Sequence, residues 1–324
     1  MKIGRREFIV GLAGAAAAPT TAARAQQAKK MPVVGYLSAS ARAPHEHYTA
    51  AFRKGLSQAG FFEGGNVAIK YRFADRDIGQ LPHLAADLLH RGAKVIMAST
   101  LQAAHKAKEA TTTVPVVFRA GSNAVKEGLV ASFEHPGGDV TGVNDYGLDR
   151  WPKRLSLLRY LLPNANHIAV LLQGTDDADE ATAAGNALGL SVDIKTVTSE
   201  SEIDQKFADV AQNPPDAVVV SQTLLFEDRR VQMVTLAMYY RLRAFFSERS
   251  FCEVGGLASY GSDFEHQERL AGIYVGRILK GEKPADMRVL RPKKTGFVIN
   301  HQTARTLGIT VSPALLALAD EVIE

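Results

Sequence analysis

The chain has 324 residues, of which 46% are hydrophobic, 22% charged and 7% aromatic, with one Cys and a net charge of +4. This composition excludes a wholly disordered or fibrous chain, and the single Cys excludes an internal disulfide or a Cys-rich zinc module. The length predicts roughly two domains.

The first 25 residues have the pattern of an export signal. A basic start with Arg5 and Arg6 precedes an uncharged, Ala- and Gly-rich stretch and a small-x-small site that ends at Ala25. The paired arginines are similar to a twin-arginine signal, although an ordinary secretion signal also fits. We predict cleavage after Ala25, location in the periplasm, and no membrane anchor, because no Cys stands at the cleavage site. Cleavage would lower the net charge from +4 to +1, so the basic character belongs mainly to the signal.

After residue 31, β-branched apolar runs alternate with helical patterns, which is typical of α/β units on a parallel sheet. This series favours one doubly wound lobe. Its predicted strands are 33–37, 67–73, 95–98 and 116–118, its helices are 48–59, 84–89, 101–110 and 125–133, and a short strand follows the turn at 136–138.

A helix at 151–162 introduces a second series on the same plan, which indicates two similar lobes rather than one large sheet. The remaining elements are too few for a third domain, so we expect them to cross back between the lobes as a hinge. The second series has strands 168–172, 192–197, 217–220 and 244–246 with helices 203–211 and 231–242, and the crossing elements are strand 257–260, helix 264–279, strand 296–299 and closing helix 313–323.

No nucleophile elbow, phosphate loop or zinc-protease motif occurs after the signal, so we predict no catalytic residues, no cofactor and no metal. His45 and His47 could supply two imidazoles to a metal, but the solvated start of a helix explains them equally well. Cys252 has no recognisable partner and is better explained as a small buried side chain. Basic residues form no dense patch outside a short connector, and no helix-turn-helix precedes the first strand, which argues against nucleic acid.

Polar residues follow the predicted strands of both lobes. Ligands of open parallel sheets bind beyond the carboxyl ends of the strands, where helix N-termini present free N–H groups. Ser99 and Thr100 suit a ligand carboxylate, and Asn123, Gln222 and Glu248 suit an amino group, although such residues also cap helices without any ligand. The candidate ligand-binding residues are Ser38, Ser99, Thr100, Asn123, Gln173, Gln222, Glu248 and Tyr260, and the candidate aromatic wall is Tyr36, Phe118, Tyr146 and Tyr260.

Short motifs in order along the whole chain after the signal carry a family resemblance. The chain resembles the ABC-transporter substrate-binding proteins of the family that includes tryptophan- and tyrosine-uptake receptors. The motifs lie at residues 35–37, 61–67, 110–118, 128–132, 136–138, 141–142, 255–257, 259–261, 278–281, 283–286 and 319–324.

The resemblance implies a type I periplasmic-binding-protein fold, in which two doubly wound parallel-sheet lobes are joined by a three-strand hinge. It implies an N-terminal lobe of residues 31–146 plus about 259–286 and a C-terminal lobe of 147–258 plus about 287–324. It also implies no enzymatic activity, an amino acid as ligand, and delivery to a membrane permease. Asn123-Ala124 and Asp139 depart from the family's usual Asp-Pro and Asn, and loss of the Asp favours a carboxylate ligand without an amine as the alternative.

We therefore predict a monomeric solute-binding component of an ABC uptake transporter, which closes on a small organic molecule, either an amino acid or a related carboxylate. One alternative is a sensory receptor that docks on a chemoreceptor or histidine kinase. A further alternative is an enzyme without a recognisable catalytic template.

Overall fold

A computed structural model describes residues 31–145, 150–175 and 177–324. The predicted export signal and the aromatic candidate Tyr146 lie outside these residues. Within the described part of the chain, no helix is both long and apolar enough to cross a membrane.

The first lobe is built on a five-stranded parallel sheet with strand order β2-β1-β3-β4-β5. Except for the edge strand β2, the strands are almost continuous runs of buried residues because helices cover both faces of the sheet. Its elements are β1 (Val33–Ser38), α1 (Glu46–Gln58), β2 (Ala68–Phe73), α2 (Leu81–His90), β3 (Ala93–Ala98), α3 (Leu101–Ala110), β4 (Val116–Ala120) and β5 (Val140–Asn144).

The second lobe is built on a seven-stranded sheet with strand order β12-β11-β10-β9-β8-β6-β7. Strands β7-β6-β8-β9-β10 repeat the order of the first sheet, and β11 then adds antiparallel to β10. Its elements are α4 (Arg150–Leu161), β6 (His167–Leu172), α5 (Ala178–Ala187), β7 (Ser191–Thr196), α6 (Ile203–Gln212), β8 (Ala217–Val220), α7 (Leu224–Asp228), α8 (Arg230–Tyr239), β9 (Ala244–Phe246), α9 (Arg249–Glu253), β10 (Ala258–Ser262), β11 (Thr295–Asn300), α11 (His301–Thr306), α12 (Pro313–Leu318) and β12 (Glu321–Ile323).

One helix returns from the second lobe to the first. Helix α10 (Phe264–Leu279) follows β10, and its buried residues Ala271, Tyr274 and Val275 belong to the same core as strands β1, β3 and β5. The chain thus connects the lobes three times, after β5, between β10 and α10, and between residues 286 and 295. In the last connection, the Leu290 N–H donates to the Gly142 carbonyl at 2.9 Å. These connections give the two-lobed α/β architecture predicted from the sequence.

Two predicted helices are wrong in whole or in part. Residues 125–133 form turns rather than a helix, because the chain reverses at Gly128 with φ +70°. The Asn144 side chain accepts from the Ala124 N–H and donates to the Ala120 carbonyl, which fixes the chain just before this loop. The closing helix stops at Leu318, where the chain becomes extended, and β12 pairs in parallel with β11.

Candidate functional site

A cavity of about 350 Å³ lies between the two lobes, at the carboxyl ends of their strands. Both lobes supply its walls, and the lining mixes charged, polar and aromatic side chains. The first lobe and α10 contribute His45, Tyr48, Ser99, Thr100, Leu101, Gln102, Arg119, Ala120, Gly121, Ser122, Asp145 and Phe264, and the second lobe contributes Arg150, Trp151, Arg154, Asp177, Glu180, Gln222, Thr223, Leu224, Glu227 and Glu248.

The N-terminus of α3 forms one wall of the cavity. Thr100 is the N-cap, and its Oγ1 accepts hydrogen bonds from the N–H groups of Ala103 and Ala39 at 3.3 Å each. Ser99 and Thr100 are 4% and 6% exposed. The first-turn N–H groups of a helix have no intrahelical acceptors and lie at the positive end of the helix dipole. This wall is therefore suited to a carboxylate.

Arg119, at the end of β4, is held rigidly beside this wall. Its Nε donates to Glu268 Oε1 at 2.9 Å, and its Nη2 donates to the Ser99 carbonyl at 2.8 Å. The guanidinium carbon also lies 4.3 Å from the centre of the Phe264 ring. Burial raises the pKa of Glu268 to about 7 even though Arg119 stabilises its charged form.

Asp145 directly follows β5 and has one satisfied and one unsatisfied carboxylate oxygen. Its Oδ2 accepts from Arg150, from Gln267 and from the Ser262 hydroxyl. Its Oδ1 is buried and has no hydrogen-bond partner among the described residues. Asp145 therefore brings an open acceptor to the cavity.

The first turns of α4 contribute Arg150, Trp151 and Arg154. Arg150 pairs with Asp145 at 2.7 Å. Arg154 is 2% exposed, its Nε donates to the Tyr260 carbonyl at 3.0 Å, and its guanidinium carbon lies 5.0 Å from the centre of the Trp151 ring. Among the described residues, no carboxylate forms an ion pair with Arg154. Asp177 and Glu248 favour its charged form only from beyond ion-pair distance, so the cavity contains a buried cation without a direct partner among the described residues.

Glu248, between β9 and α9, supplies a buried negative charge from the second lobe. Its Oε2 accepts from the Tyr48 hydroxyl of the first lobe at 2.5 Å, and its Oε1 accepts a longer bond from Gln222 at 3.4 Å. No described cation forms an ion pair with it. Burial and the adjacent Glu248 carboxylate raise the pKa of Glu227 well above its usual range. Burial and this neighbour therefore favour the neutral form of the Glu227 carboxyl group.

Further contacts close the lobes beside the cavity. His45 Nδ1 of the first lobe lies 3.2 Å from Asp228 Oδ1 of the second, and Arg76 lies 2.7 Å from Glu200 across the same gap. Burial lowers the pKa of His45 to about 3 and that of His47 to about 4, and it raises the pKa of Asp228 to about 6. Both imidazoles are therefore neutral at pH 7.

Four of the eight residues proposed from the sequence line the cavity, namely Ser99, Thr100, Gln222 and Glu248. The other four lie outside its lining. The Ser38 hydroxyl accepts from the Ser40 N–H, Asn123 accepts from two backbone N–H groups of its own turn, and Gln173 is exposed. Tyr260 packs on the second-lobe core and presents only its carbonyl to Arg154.

Sequence reasoning missed the charged and aromatic part of the cavity. Tyr36 and Phe118 of the expected aromatic wall are core residues, and the rings in the lining are instead Tyr48, Trp151 and Phe264. Arg119 and Asp145 stand at the ends of β4 and β5, so the strand-end rule that selected Ser99 also applied to them.

The alternatives of a metal site and a reactive thiol find no support in this geometry. Among residues 31–145, 150–175 and 177–324, no group of three or more His, Cys, Asp or Glu is placed to hold a metal ion. Cys252 is fully buried, and burial raises the pKa of its thiol to about 12. A thiol with that pKa is not a nucleophile at neutral pH.

Comparisons with known proteins agree with the two-lobed fold. The family model for ABC transporter substrate binding proteins matches residues 45–323. A tyrosine-binding protein of Clostridioides difficile is 27% identical over 268 residues, which is 79% of this chain and 75% of the relative.

Two solved structures have the same fold. An ABC domain from Streptococcus pneumoniae in complex with L-Trp is 26% identical, with a TM-score of 0.79 over 90% of this chain and 99% of that one. The ligand-free, open structure of a C. difficile substrate-binding protein with adhesive properties is 23% identical, with a TM-score of 0.66 over 90% of this chain and 99% of that one. Many further structures share this type I periplasmic-binding-protein fold.

Proposed function

Since the chain belongs to the family of ABC transporter substrate-binding proteins, we propose that it captures an amino acid or related carboxylate between its lobes and delivers it to a membrane permease. One observation carries this proposal. A single cavity has an anion-binding helix start on the first lobe and, on the second, the Glu248 carboxylate without an ion-pair partner. An α-amino acid carries the complementary pair of charges on adjacent groups.

In this mechanism the ligand stabilises the closed arrangement by contacting both lobes. Ser99, Thr100 and the first-turn N–H groups of α3 bind the α-carboxylate, while Glu248 and Gln222 bind the ammonium group. A ligand shifts an equilibrium between open and closed forms only by binding one form more tightly. Contacts from both lobes to one small molecule provide that difference, and they loosen when the lobes separate to release it.

The replacement of the family's usual Asp by Asn123 does not weaken the amino-acid assignment in this geometry. The Asn123 side chain lies outside the cavity lining and caps its own turn. Carboxylates from Glu248 and Asp145 lie in the lining instead. The ligands named for the tyrosine-binding relative and for the tryptophan complex support the same class of solute.

Calorimetric titration with charge-deleted analogues tests this proposal. We expect at least one of L-Tyr, L-Trp and L-Phe to bind, and the matching amine without a carboxylate and acid without an amine to bind at least about tenfold more weakly. Glu248→Gln should weaken the amino acid but not the acid without an amine. The exposed Glu253→Gln is the matched control. Equal binding of the amino acid and its amine-free acid would contradict the assigned ammonium site, and turnover of a ligand would contradict a purely binding role.

The proposal extends to the cellular setting. We propose that the protein acts as a monomer in the periplasm after cleavage of residues 1–25. N-terminal sequencing and light scattering of the exported protein test this. A protein that retains its first 25 residues, or that has the mass of a dimer in light scattering, would contradict it.

A further inference from the structure

Arg154 is a buried cation to which the proposed binding of the α-carboxylate and ammonium groups assigns no role. It is 2% exposed, lines the cavity, and forms no ion pair with a described residue. Its one hydrogen bond is from Nε to the Tyr260 carbonyl, so the nitrogens at the end of the guanidinium have open donor positions. Burial of an unpaired charge is strongly unfavourable. A group of this kind beside a cavity is well suited to an anion that arrives with the ligand.

We propose that the ligand carries a second anionic group in addition to its α-carboxylate, and that Arg154 binds this group beside Trp151. The inference rests on the proposed function, because it assigns the α-carboxylate to the start of α3 and the ammonium group to Glu248. The ligand class is then an amino acid whose side chain ends in a carboxylate or similar anion.

A comparison of the three cavity arginines singles out Arg154. Arg119 is neutralised by Glu268 at 2.9 Å, and Arg150 is neutralised by Asp145 at 2.7 Å. Arg154 alone of the three has no such partner among residues 31–145, 150–175 and 177–324, and the like charge of Arg150 lies four residues before it on the same helix. Burial and Arg150 lower the pKa of Arg154 to about 10 although the more distant Asp177 and Glu248 favour its charged form, so it is still charged at neutral pH.

Arg150 and Arg154 carry like charges four residues apart on α4, an arrangement that destabilises a helix. Local rules are commonly broken at functional sites, where a bound ligand offsets the cost. Here an anion would relieve the repulsion between the two arginines.

Trp151 indicates which chemical group lies between the α-carbon of the ligand and its second anion. Its ring is 3% exposed, lines the cavity and lies 5.0 Å from the Arg154 guanidinium carbon, so it limits the positions that the guanidinium can take. The indole also provides an apolar surface for the middle of a side chain. We therefore expect an apolar spacer, aromatic or aliphatic, between the α-carbon and the second anion.

Two pairs of amino acids that differ mainly in the terminal anion test the inference by calorimetric titration. The pairs are 4-carboxy-L-phenylalanine with L-phenylalanine and L-2-aminoadipate with L-norleucine, and glutarate is added as a dianion without an amine. We expect the anionic member of at least one pair to bind at least tenfold more tightly than its neutral counterpart. Arg154→Met should abolish this preference and leave binding of the neutral member within about threefold.

A second measurement separates ligand binding from a structural role. If the role of Arg154 is to bind an anion, Arg154→Met should raise the Tm of the ligand-free protein, because it removes an unpaired buried charge. If Arg154 mainly supports Tyr260 and Trp151, the same variant should lower that Tm. Lys153→Met is the matched control, since Lys153 is exposed on the same helix, and it should change neither the preference nor the Tm.

The outcomes distinguish the inference from the proposed function. If neutral amino acids bind and no anionic member is preferred, the inference fails while the proposed function stands. Binding of glutarate without any amino acid contradicts the assignment of Glu248 as the ammonium site but retains the anion site. No binding of any dianionic probe, or a lower Tm for Arg154→Met, overturns the inference.

Discussion

The hydrogen bond between Tyr48 and Glu248 is the most direct test of closure between the lobes. Tyr48 lies on α1 of the first lobe and is 4% exposed, and its hydroxyl donates to Glu248 Oε2 of the second lobe at 2.5 Å. Burial, together with Glu227 and Glu248, raises the pKa of Tyr48 well above its usual value, so its hydroxyl stays a donor. Tyr48→Phe removes this donor and keeps the ring.

The expected loss follows from the charge on the acceptor. Hydrogen bonds to charged groups contribute about 1.5–3 kcal/mol, and after the change Glu248 keeps the long bond from Gln222 at 3.4 Å. At about 2–4 °C per kcal/mol, the Tm should fall by about 3–12 °C. The loss applies to the closed arrangement, so small-angle X-ray scattering should also show a larger radius of gyration for the ligand-free variant.

Tyr160→Phe provides the matched control, because Tyr160 is 67% exposed. Surface substitutions of this kind change stability by less than about 0.5 kcal/mol. The reasoning would be refuted if Tyr48→Phe changed the Tm and the radius of gyration no more than Tyr160→Phe does.

Three further substitutions probe the pH response and the packing. Because the pKa of His45 falls to about 3 in the folded protein, its contribution to stability is full above pH 6.5 and is lost as the pH falls towards 3. In urea unfolding, the difference in free energy of unfolding between wild type and His45→Asn should therefore shrink by about 2 kcal/mol between pH 7 and pH 5. Gly272→Ala should cost about 1–3 kcal/mol, since its Cβ would lie 2.2 Å from a carbonyl of α1, whereas Gly296→Ala, with nothing within 4 Å, should cost much less in the same assay. Glu268→Gln should lower the free energy of unfolding at pH 8 by about 3–5 kcal/mol because it leaves Arg119 buried and unpaired, and an unchanged urea midpoint would contradict this.

The two-lobed architecture could be predicted because its signals are local. Runs such as Ala217–Val220 are apolar over their whole length, which is typical of parallel strands covered on both faces. The predicted helix at 125–133 failed because the chain reverses at Gly128 with φ +70°, and the turn before it is fixed by the side chain of Asn144, 20 residues after Ala124. Strand β12 could not be recognised either, since three residues become a strand only beside the edge of β11.

In the candidate site, too, the residues that follow local patterns could be predicted and those that depend on distant partners could not. Thr100 was found because an N-cap is a local pattern directly after a strand. The role of Arg119 depends on Glu268, 149 residues later, and the open acceptor of Asp145 is apparent only after its other oxygen is seen to be occupied. No spacing in the sequence indicates such pairings, so the charge balance of the cavity could not be predicted from the sequence.

The return of α10 to the first lobe has a consequence for how the protein is made. The glycine-mediated contact between α1 and α10 joins Gly55 and Gly272, which emerge from the ribosome more than two hundred residues apart. Until α10 has been translated, the face of the first sheet that carries Tyr36, Val95 and Val117 lacks the part of its cover that Ala271, Tyr274 and Val275 supply. A nascent chain ending before Phe264 should therefore expose that face to chaperones and proteases, so the N-terminal lobe is completed among the last parts of the protein rather than the first.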